Sequence, residues 1–369
     1  MKIPYNDLLA LHEPIMPELR QAIEDVLSSC QFVGNSRNSF VQRFEDEFAA
    51  FSGVSHSIGC SNGTEAIELV LRALEIGPGD EVIVPAQTWI STSEAVSHVG
   101  ARPVFADIQP RQFTLDPLEL AKRTNERTKA IIPVHLYGQP ADMDPILEFA
   151  NSRSLHVIED CAQAHGARYK DRPVGAMGIA GTFSFYPGKN LGAIGEAGGI
   201  VTESSDIRDT VRSLRDHGLA ANGGHDREGR NARLDGIQAA VLSVKLTRLE
   251  AWTRQRQSLG AYYRERLKEI GVGFQEVLDD RSHVYHVFCA QVENRDAVRE
   301  GLDQAGVQTG IHYPTPLPFL DAYSEIGYAN TDFPNARRQS SKALSLPLHP
   351  GMTPQNVDYV IAQLDHFLS

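Results

Sequence analysis

The residue types best suited to chemistry lie in the stretch Ser184–Asn190, where a predicted strand end runs into a turn that carries Lys189. A lysine amine adds reversibly to a carbonyl once its surroundings lower its pKa, so it can hold an aldehyde cofactor as a Schiff base. Most lysines are solvated surface charges, and Lys189 alone therefore indicates no chemistry. The interpretation depends on which residues the fold brings beside it.

A second candidate is the turn Ser61–Thr64. Apolar residues at helical spacing follow it until Gly77-Pro78-Gly79, which predicts that Gly63 and Thr64 lie at a helix N-terminus. Free backbone N–H groups and the positive end of the helix dipole favour a phosphate there. Taken alone, however, the motif is more typical of a Ser/Thr cap with no ligand.

Short apolar segments alternate with helical patterns along most of the chain. Strands are predicted at 81–85, 102–108, 130–136, 155–159, 182–186, 199–202 and 284–292, and helices at 16–28, 40–51, 92–99, 117–123, 143–152, 237–270 and 295–305. This alternation predicts the α/β class, with a mostly parallel sheet covered by helices. Ligands of such sheets bind at the carboxyl ends of the strands.

Polar and aromatic side chains are concentrated at those strand ends. Asp160 and Gln163 follow one predicted strand, and Ser184 and Lys189 lie at the end of the next. Trp89 lies just beyond another strand and is one of two tryptophans in the chain. A tryptophan is usually a core anchor, but at a strand end beside a phosphate cradle it favours stacking on a ligand.

Composition sets the broad class of the protein. The 369 residues are 41% hydrophobic and 22% charged, as in a soluble globular protein, and they suffice for two domains. We predict a large domain over residues 1–250, which begins with an arm, and a smaller C-terminal α/β domain over residues 251–369. The net charge of −12 argues against a nucleic-acid partner. The sequence has no apolar run long enough to span a membrane, so we expect a cytosolic protein.

No metal site is predicted. The four cysteines, at positions 30, 60, 161 and 289, lack C-x-x-C spacing. His283 and His286 would point to opposite faces of the predicted strand, because side chains alternate along a strand.

The candidate residues together match the requirements of pyridoxal 5'-phosphate. This cofactor needs a phosphate cradle, a platform for its ring, an anion beside its pyridine nitrogen and an amine for its aldehyde. Asp160 would supply the anion and strengthen the ring as an electron sink, and Lys189 would supply the amine. The cradle would come from the turn at Gly63.

The chain also resembles the sugar aminotransferases of the DegT/DnrJ/EryC1/StrS group. The matching segments are Ser61–Ala66, Glu159–Gly166, Ser184–Gly192, and Asn231–Leu234 with Gln238–Ala240. They cover most of the chain in the family's order, and their combination is far more specific than any one segment. The resemblance implies a fold type I aminotransferase that works as a homodimer with shared active sites.

The resemblance also implies a role for each candidate residue. Lys189 would bind the cofactor and then move a proton between substrate and cofactor carbons, while Asp160 would pair with the ring nitrogen. Gln163 would contact the ring hydroxyl and Trp89 would stack on the ring.

The remaining cofactor contacts concern the phosphate. Gly63, Thr64 and Ser184 would hold it within one subunit. Asn231 would reach the phosphate of the other subunit's cofactor, which would make dimerisation part of catalysis.

The implied reaction is the transfer of an amino group from L-glutamate to a keto sugar on a nucleotide diphosphate. Some family members carry histidine at the position of Lys189 and are dehydratases, so lysine favours transamination. His312-Tyr313-Pro314 resembles members that aminate the 3-keto position of 6-deoxyhexoses, and His312 and Tyr313 would contact the sugar. A proline-braced loop that only packs is an equally good interpretation.

Other functions stay open. The acceptor could be a 4-keto nucleotide sugar, a cyclitol ketone or a sugar phosphate. A non-catalytic regulator that binds the cofactor on the same fold is a more remote alternative. We expect loops near residues 30–38, 217–231 and 310–320 to decide the substrate.

Overall fold

The computed structural model describes residues 1–34, 38–220 and 222–368, so part of the loop predicted at 30–38 lies outside the described residues. The strands are β1 His56–Cys60, β2 Glu81–Pro85, β3 Arg102–Ala106, β4 Thr128–Ile131, β5 His156–Asp160, β6 Arg168–Tyr169, β7 Arg172–Pro173, β8 Ala180–Ser184, β9 Gly198–Thr202, β10 Gly273–Phe274, β11 Phe288–Gln291 and β12 Ala343–Leu346. The α-helices are α1 Leu8–His12, α2 Met16–Ser29, α3 Ser39–Ser52, α4 Gly63–Ala73, α5 Ser91–His98, α6 Leu120–Arg123, α7 Met143–Ser152, α8 Ser205–Leu214, α9 Gly236–Glu269, α10 Arg295–Gln304, α11 Pro334–Lys342 and α12 Pro354–Leu368.

Within these described ranges, seven strands form the main sheet in the order β1-β9-β8-β5-β4-β2-β3. Neighbours from β3 to β8 pair in parallel, whereas β9 pairs antiparallel with both β8 and β1. Only β9 is therefore reversed. The predicted α/β class with a mostly parallel, helix-covered sheet is confirmed.

Burial explains the apolar strand sequences. Every residue of β2 and β9 is buried, as expected for strands covered by helices on both faces. An aromatic cluster under β8 fixes the strand that leads to the turn of Lys189. The ring of Phe48 in α3 lies edge-on to Phe183 at 5.0 Å and to Phe185 at 5.1 Å, and all three side chains are buried.

Three predicted strands are shorter than expected, and the one predicted at 102–108 ends at Ala106. The strand predicted at 130–136 is β4, which ends at Ile131, two residues before Pro133; proline has no N–H to continue a ladder. The strand predicted at 284–292 is reduced to β11, because Val284 and Tyr285 donate their N–H groups to Gly138 O and His283 Nδ1. His283 and His286 therefore do not lie on a strand, and the reason given above for their opposite directions is wrong.

A second, antiparallel sheet has the order β10-β11-β12 and its own apolar core. Helix α9 contributes to both cores, with Leu242 on the side of the main sheet and Tyr263 on the side of the second. The domain boundary near residue 250 stays a prediction. In the described part of the chain, no helix combines the length and apolarity needed to cross a membrane.

Candidate active site

A cavity of about 1000 Å³ opens at the carboxyl ends of the parallel strands. Nine of the ten predicted site residues line it, namely Gly63, Thr64, Trp89, Asp160, Gln163, Ser184, Lys189, His312 and Tyr313. The seven residues from Gly63 to Lys189 come together because β1, β2, β5 and β8 run in the same direction, whereas His312 and Tyr313 come from the segment after α10. Asn231 is the exception and is considered separately below.

One wall of the cavity is the N-terminus of α4. Asn62, not a serine or threonine, caps the helix by accepting a hydrogen bond from Glu65 N at 2.9 Å. The preceding N–H groups, of Gly63 and Thr64, have no partner among the described residues. A Cβ atom at Gly63 would lie only 2.7 Å from Ser184 Cβ. The glycine therefore permits close approach of two backbone segments, which is suited to a phosphate cradle.

Asp160 ends β5 with its carboxylate held in a fixed orientation. Thr92 Oγ1 donates to Asp160 Oδ2 at 2.8 Å, and Ala162 N donates to Oδ1 at 3.1 Å. The residue is only 6% exposed. A buried carboxylate is costly unless a positive charge or a set of hydrogen bonds compensates it. No local motif marks Thr92 as a partner of Asp160, because the contact spans 68 residues.

Lys189 lines the same cavity from a turn in which its N–H donates to Tyr186 O at 2.8 Å. Burial lowers the pKa of the Lys189 amine to about 8, although the negative charge of Asp160 acts in the opposite direction. Desolvation thus outweighs the attraction of the carboxylate. At neutral pH, a useful fraction of this amine is in the nucleophilic form.

The third wall carries aromatic and amide side chains. Gln163 accepts a hydrogen bond from Tyr137 N at 2.7 Å and donates to Tyr313 Oη at 2.9 Å. The ring of Trp89 lies 5.4 Å from that of Tyr313 with a tilt of 41°. Because Trp89 is 56% exposed, it is not a core anchor. Its indole face is available to a planar ligand or to another chain.

His312 and three residues missed by the sequence analysis complete the lining. His312 Nδ1 lies 2.8 Å from Ser345 Oγ, and its ring stacks on Tyr5 at 5.7 Å. Burial and the charge of Lys189 lower the pKa of His312 to about 4, so the imidazole is neutral. Tyr5, His286 and Arg256 also line the cavity. They come from the N-terminal arm, the segment before β11 and α9, and no motif marks them.

Asn231 does not line the cavity of its own chain. Its side chain is exposed, and its Oδ1 accepts a hydrogen bond from Arg233 Nη2 at 2.8 Å. The neighbouring Arg230 does line the cavity. The role of Asn231 toward a second subunit stays a prediction.

A buried cluster behind Asp160 has the composition of a metal site but the bonding of a structural brace. His135, Glu159 and Cys161 offer ligand atoms within 4.8 Å of one another. However, Glu159 accepts hydrogen bonds from three backbone N–H groups, at residues 175, 177 and 178. His135 Nδ1 accepts from Ala141 N, so its Nε2–H donates to Glu159 at 2.9 Å. Burial raises the pKa of the Cys161 thiol well above its usual value.

The cavity thus has the parts that pyridoxal phosphate requires. Unpaired N–H groups lie near Ser184, and the same cavity is lined by a buried carboxylate with a fixed orientation and by an amine with a lowered pKa. These groups fit the cofactor's phosphate, pyridine nitrogen and aldehyde. A fold and site of this kind define a pyridoxal phosphate enzyme of the α/β class.

Comparison with known proteins identifies the family. Residues 14–365 match the model of the DegT/DnrJ/EryC1/StrS aminotransferase family. The chain belongs to this family and is an aminotransferase, as the sequence resemblance predicted.

Similar proteins align over nearly the whole chain. A pleiotropic regulatory protein from Geobacillus stearothermophilus is 40% identical over 100% of this chain and 99% of its own length. The dTDP-3-amino-3,4,6-trideoxy-alpha-D-glucose transaminase of Streptomyces venezuelae is 41% identical over 95% of this chain and 92% of its own. A UDP-N-acetyl-3-dehydro-alpha-D-glucosamine 3-aminotransferase from Acidithiobacillus ferrooxidans is 41% identical over 96% of this chain and 95% of its own length.

Solved structures agree with this assignment. DesV from S. venezuelae, in complex with a ketimine intermediate, is 40% identical with a TM-score of 0.96, over 100% of this chain and 99% of that one. A Bacillus subtilis structure with the bound cofactor PMP is 30% identical with a TM-score of 0.92, over 100% of this chain and 85% of its own. Pyridoxal phosphate, whose amino form is PMP, is the cofactor of this chain.

The lowered pKa of Lys189 predicts how cofactor uptake depends on pH. Only the neutral amine reacts with the aldehyde, so the rate of incorporation into the apoprotein should rise about fivefold from pH 7 to pH 8, about twofold more by pH 9, and then level off. Stopped-flow absorbance from about pH 7 upward avoids titration of the cofactor phosphate. A rate that continues to rise to about pH 10 would show that burial does not shift this amine.

Proposed function

We propose that this protein transfers an amino group from L-glutamate to a keto group of a nucleotide-linked hexose, with a 3-keto-6-deoxy sugar as the preferred acceptor. The observation that carries the proposal is that Lys189 and Asp160 face one cavity large enough for a cofactor and a sugar. The amine has a lowered pKa and the carboxylate is fixed by Thr92. Amino-group transfer requires both features.

Each side chain of the site would have a separate role in the reaction. The cofactor, when bound, supplies an aldehyde that takes up the amino group and a ring that accepts electrons. Asp160, oriented by Thr92 and Ala162 N, would hold the proton on the ring nitrogen. Lys189 would move a proton from the α-carbon of the donor to the cofactor carbon in the first half-reaction and from the cofactor carbon to the acceptor carbon in the second, which suits an amine that titrates near neutral pH. The tilted rings of Trp89 and Tyr313 would exclude water from one face.

Two observations support a nucleotide sugar as the acceptor. The Streptomyces and Acidithiobacillus relatives carry names of transaminases that act on dTDP- or UDP-linked sugars with nitrogen at carbon 3. In this chain, His312 and Tyr313 line the cavity beside Gln163, where they would contact the hexose. The neutral imidazole of His312 offers a hydrogen bond to a hydroxyl without adding charge.

We further propose a homodimer in which each subunit completes the other's site. Two large side chains with apolar surface line the cavity and are well exposed, namely Trp89 and Tyr186. Exposed apolar surface beside a site favours an interface with another chain. The distance of Asn231 from its own cavity agrees with a role in the partner's site. The cytosolic location stays a prediction.

A panel of keto sugars tests the acceptor. Purified holoenzyme is supplied with L-glutamate and, in separate reactions, with 3-keto and 4-keto nucleotide sugars made in situ, a cyclitol ketone and a keto sugar phosphate. Mass spectrometry should detect the amino product with the 3-keto 6-deoxy nucleotide sugar at a rate at least about tenfold above the others, which is about 1.4 kcal/mol of discrimination.

The control for this panel is Lys189→Ala, which should lose both product formation and the visible absorbance of the bound cofactor. Preference for the cyclitol or sugar phosphate would contradict the proposed acceptor. If the wild-type protein binds cofactor but shows no half-reaction with L-glutamate, the regulatory alternative replaces the enzyme proposal.

Mixing inactive subunits tests the shared site. Lys189→Ala lacks the amine, and Asn231→Ala lacks the side chain proposed to reach the partner's cofactor. If Asn231 acts across the interface, a heterodimer of the two variants contains one intact site, and the mixture should recover up to about a quarter of wild-type activity after subunit exchange. Absence of recovery in heterodimers isolated with two affinity tags would place Asn231 in its own subunit's chemistry.

A further inference from the structure

Arg256 is a buried cation in the wall of the cavity. It lies on α9 and is only 5% exposed. Its Nη1 donates to two backbone carbonyls, Leu348 O at 2.7 Å and Tyr285 O at 3.2 Å. In the described part of the chain, no salt bridge joins it to an aspartate or glutamate. The guanidinium is thus buried without a counter-charge.

The other buried arginines show what is missing at Arg256. Three arginines are buried in the described ranges. Arg215 pairs with Glu45, and Arg281 pairs with both Asp142 and Asp280. Removing a charge from water is costly unless an opposite charge compensates it. Burial accordingly lowers the pKa of Arg256 to about 10, with the Tyr5 hydroxyl as the only opposing influence.

The free part of the guanidinium has the shape of a carboxylate receptor. A guanidinium has five N–H donors, and both hydrogen bonds of Arg256 come from Nη1. Nε and Nη2 therefore remain available for a ligand, and neither atom is among the fully enclosed polar atoms that lack a hydrogen bond. Two parallel N–H groups of this kind bind a carboxylate in bidentate fashion.

The position of Arg256 suits binding of the amino-acid donor and not binding of the nucleotide of the acceptor. Arg256 donates to Tyr285 O, and the next residue, His286, has its Nδ1 3.4 Å from Oδ1 of Asn190, which directly follows Lys189. Arg256 is therefore on the side of the cavity where the reacting amine lies. A nearly enclosed side chain admits a small carboxylate more readily than a nucleoside diphosphate. The cofactor phosphate has its own cradle at Gly63 and Ser184.

We infer that Arg256 binds a carboxylate of the amino-acid donor and so places the donor's amine toward Lys189. This inference rests on the proposed aminotransferase function. It explains why a buried cation lines the cavity with no acidic partner among the described residues: the substrate supplies the negative charge. Each donor molecule would bring that charge and its keto-acid product would remove it.

The test compares Arg256→Met with Arg256→Lys and with Arg281→Met as the control, because Arg281 is buried outside the cavity. The holoenzymes are titrated with glutarate, a dicarboxylate that has no amine, by calorimetry. The two half-reactions are then followed separately by absorbance, with L-glutamate and with the keto sugar. Arg256→Met should weaken glutarate binding about 10- to 100-fold and raise KM for L-glutamate similarly. Arg256→Lys should retain part of the binding.

The result that supports the inference is a loss confined to the donor side, with glutarate affinity unchanged in Arg281→Met and the keto-sugar half-reaction preserved in Arg256→Met. Unchanged glutarate affinity in both Arg256 variants would overturn it and leave Arg256 as a brace between α9 and the chain at Tyr285 and Leu348. A loss confined to the keto-sugar half-reaction would overturn it as well. Failure of wild-type transamination would instead refute the proposed function, so the two failures are distinguishable.

Discussion

The structure depends on two buried groups of opposite charge, a carboxylate and an amine, at the ends of two neighbouring parallel strands. Asp160 ends β5 and Lys189 follows β8, and these strands are hydrogen-bonded neighbours. Each group loses hydration in the cavity wall, and each lies in the electrostatic field of the other. Burial wins for the lysine, whose pKa falls to about 8 despite the negative charge of Asp160. Both groups line one cavity of about 1000 Å³, which has space for a ring with a basic nitrogen at one end and an aldehyde at the other.

Keeping those two groups in place requires support from several distant segments. Thr92 in α5 fixes the Asp160 carboxylate. Glu159, the preceding residue, anchors the loop before β8 through three backbone N–H groups and is itself bonded by His135. Phe48 packs against the strand that leads to Lys189. The hydrogen-bonded network on one side and the aromatic packing on the other limit how far the carboxylate and amine can move.

The sequence predicted the parts of the site that belong to local motifs. Gly63, Asp160, Ser184 and Lys189 each follow a strand, and parallel strand ends meet at one edge, so their proximity follows from the fold class. Arg256 and His286 could not be found this way, since their place depends on how α9 and the segment before β11 pack on the main sheet. The extent of β4 was misjudged because the apolar run continues past Pro133, although proline cannot extend the ladder. The partner of Asn231 lies beyond one chain, and its role rests on the family resemblance.

The most direct test of the central claim is to measure both the amount of bound cofactor and the turnover in Asp160→Asn. The substitution keeps the shape of the side chain and its hydrogen bond with Thr92 but removes the charge. If the carboxylate acts by holding a proton on the cofactor ring, the variant should retain bound cofactor while turnover falls by about two to three orders of magnitude. Near-normal turnover with cofactor retained would contradict the claim that the reaction depends on the buried charge of Asp160 acting together with Lys189.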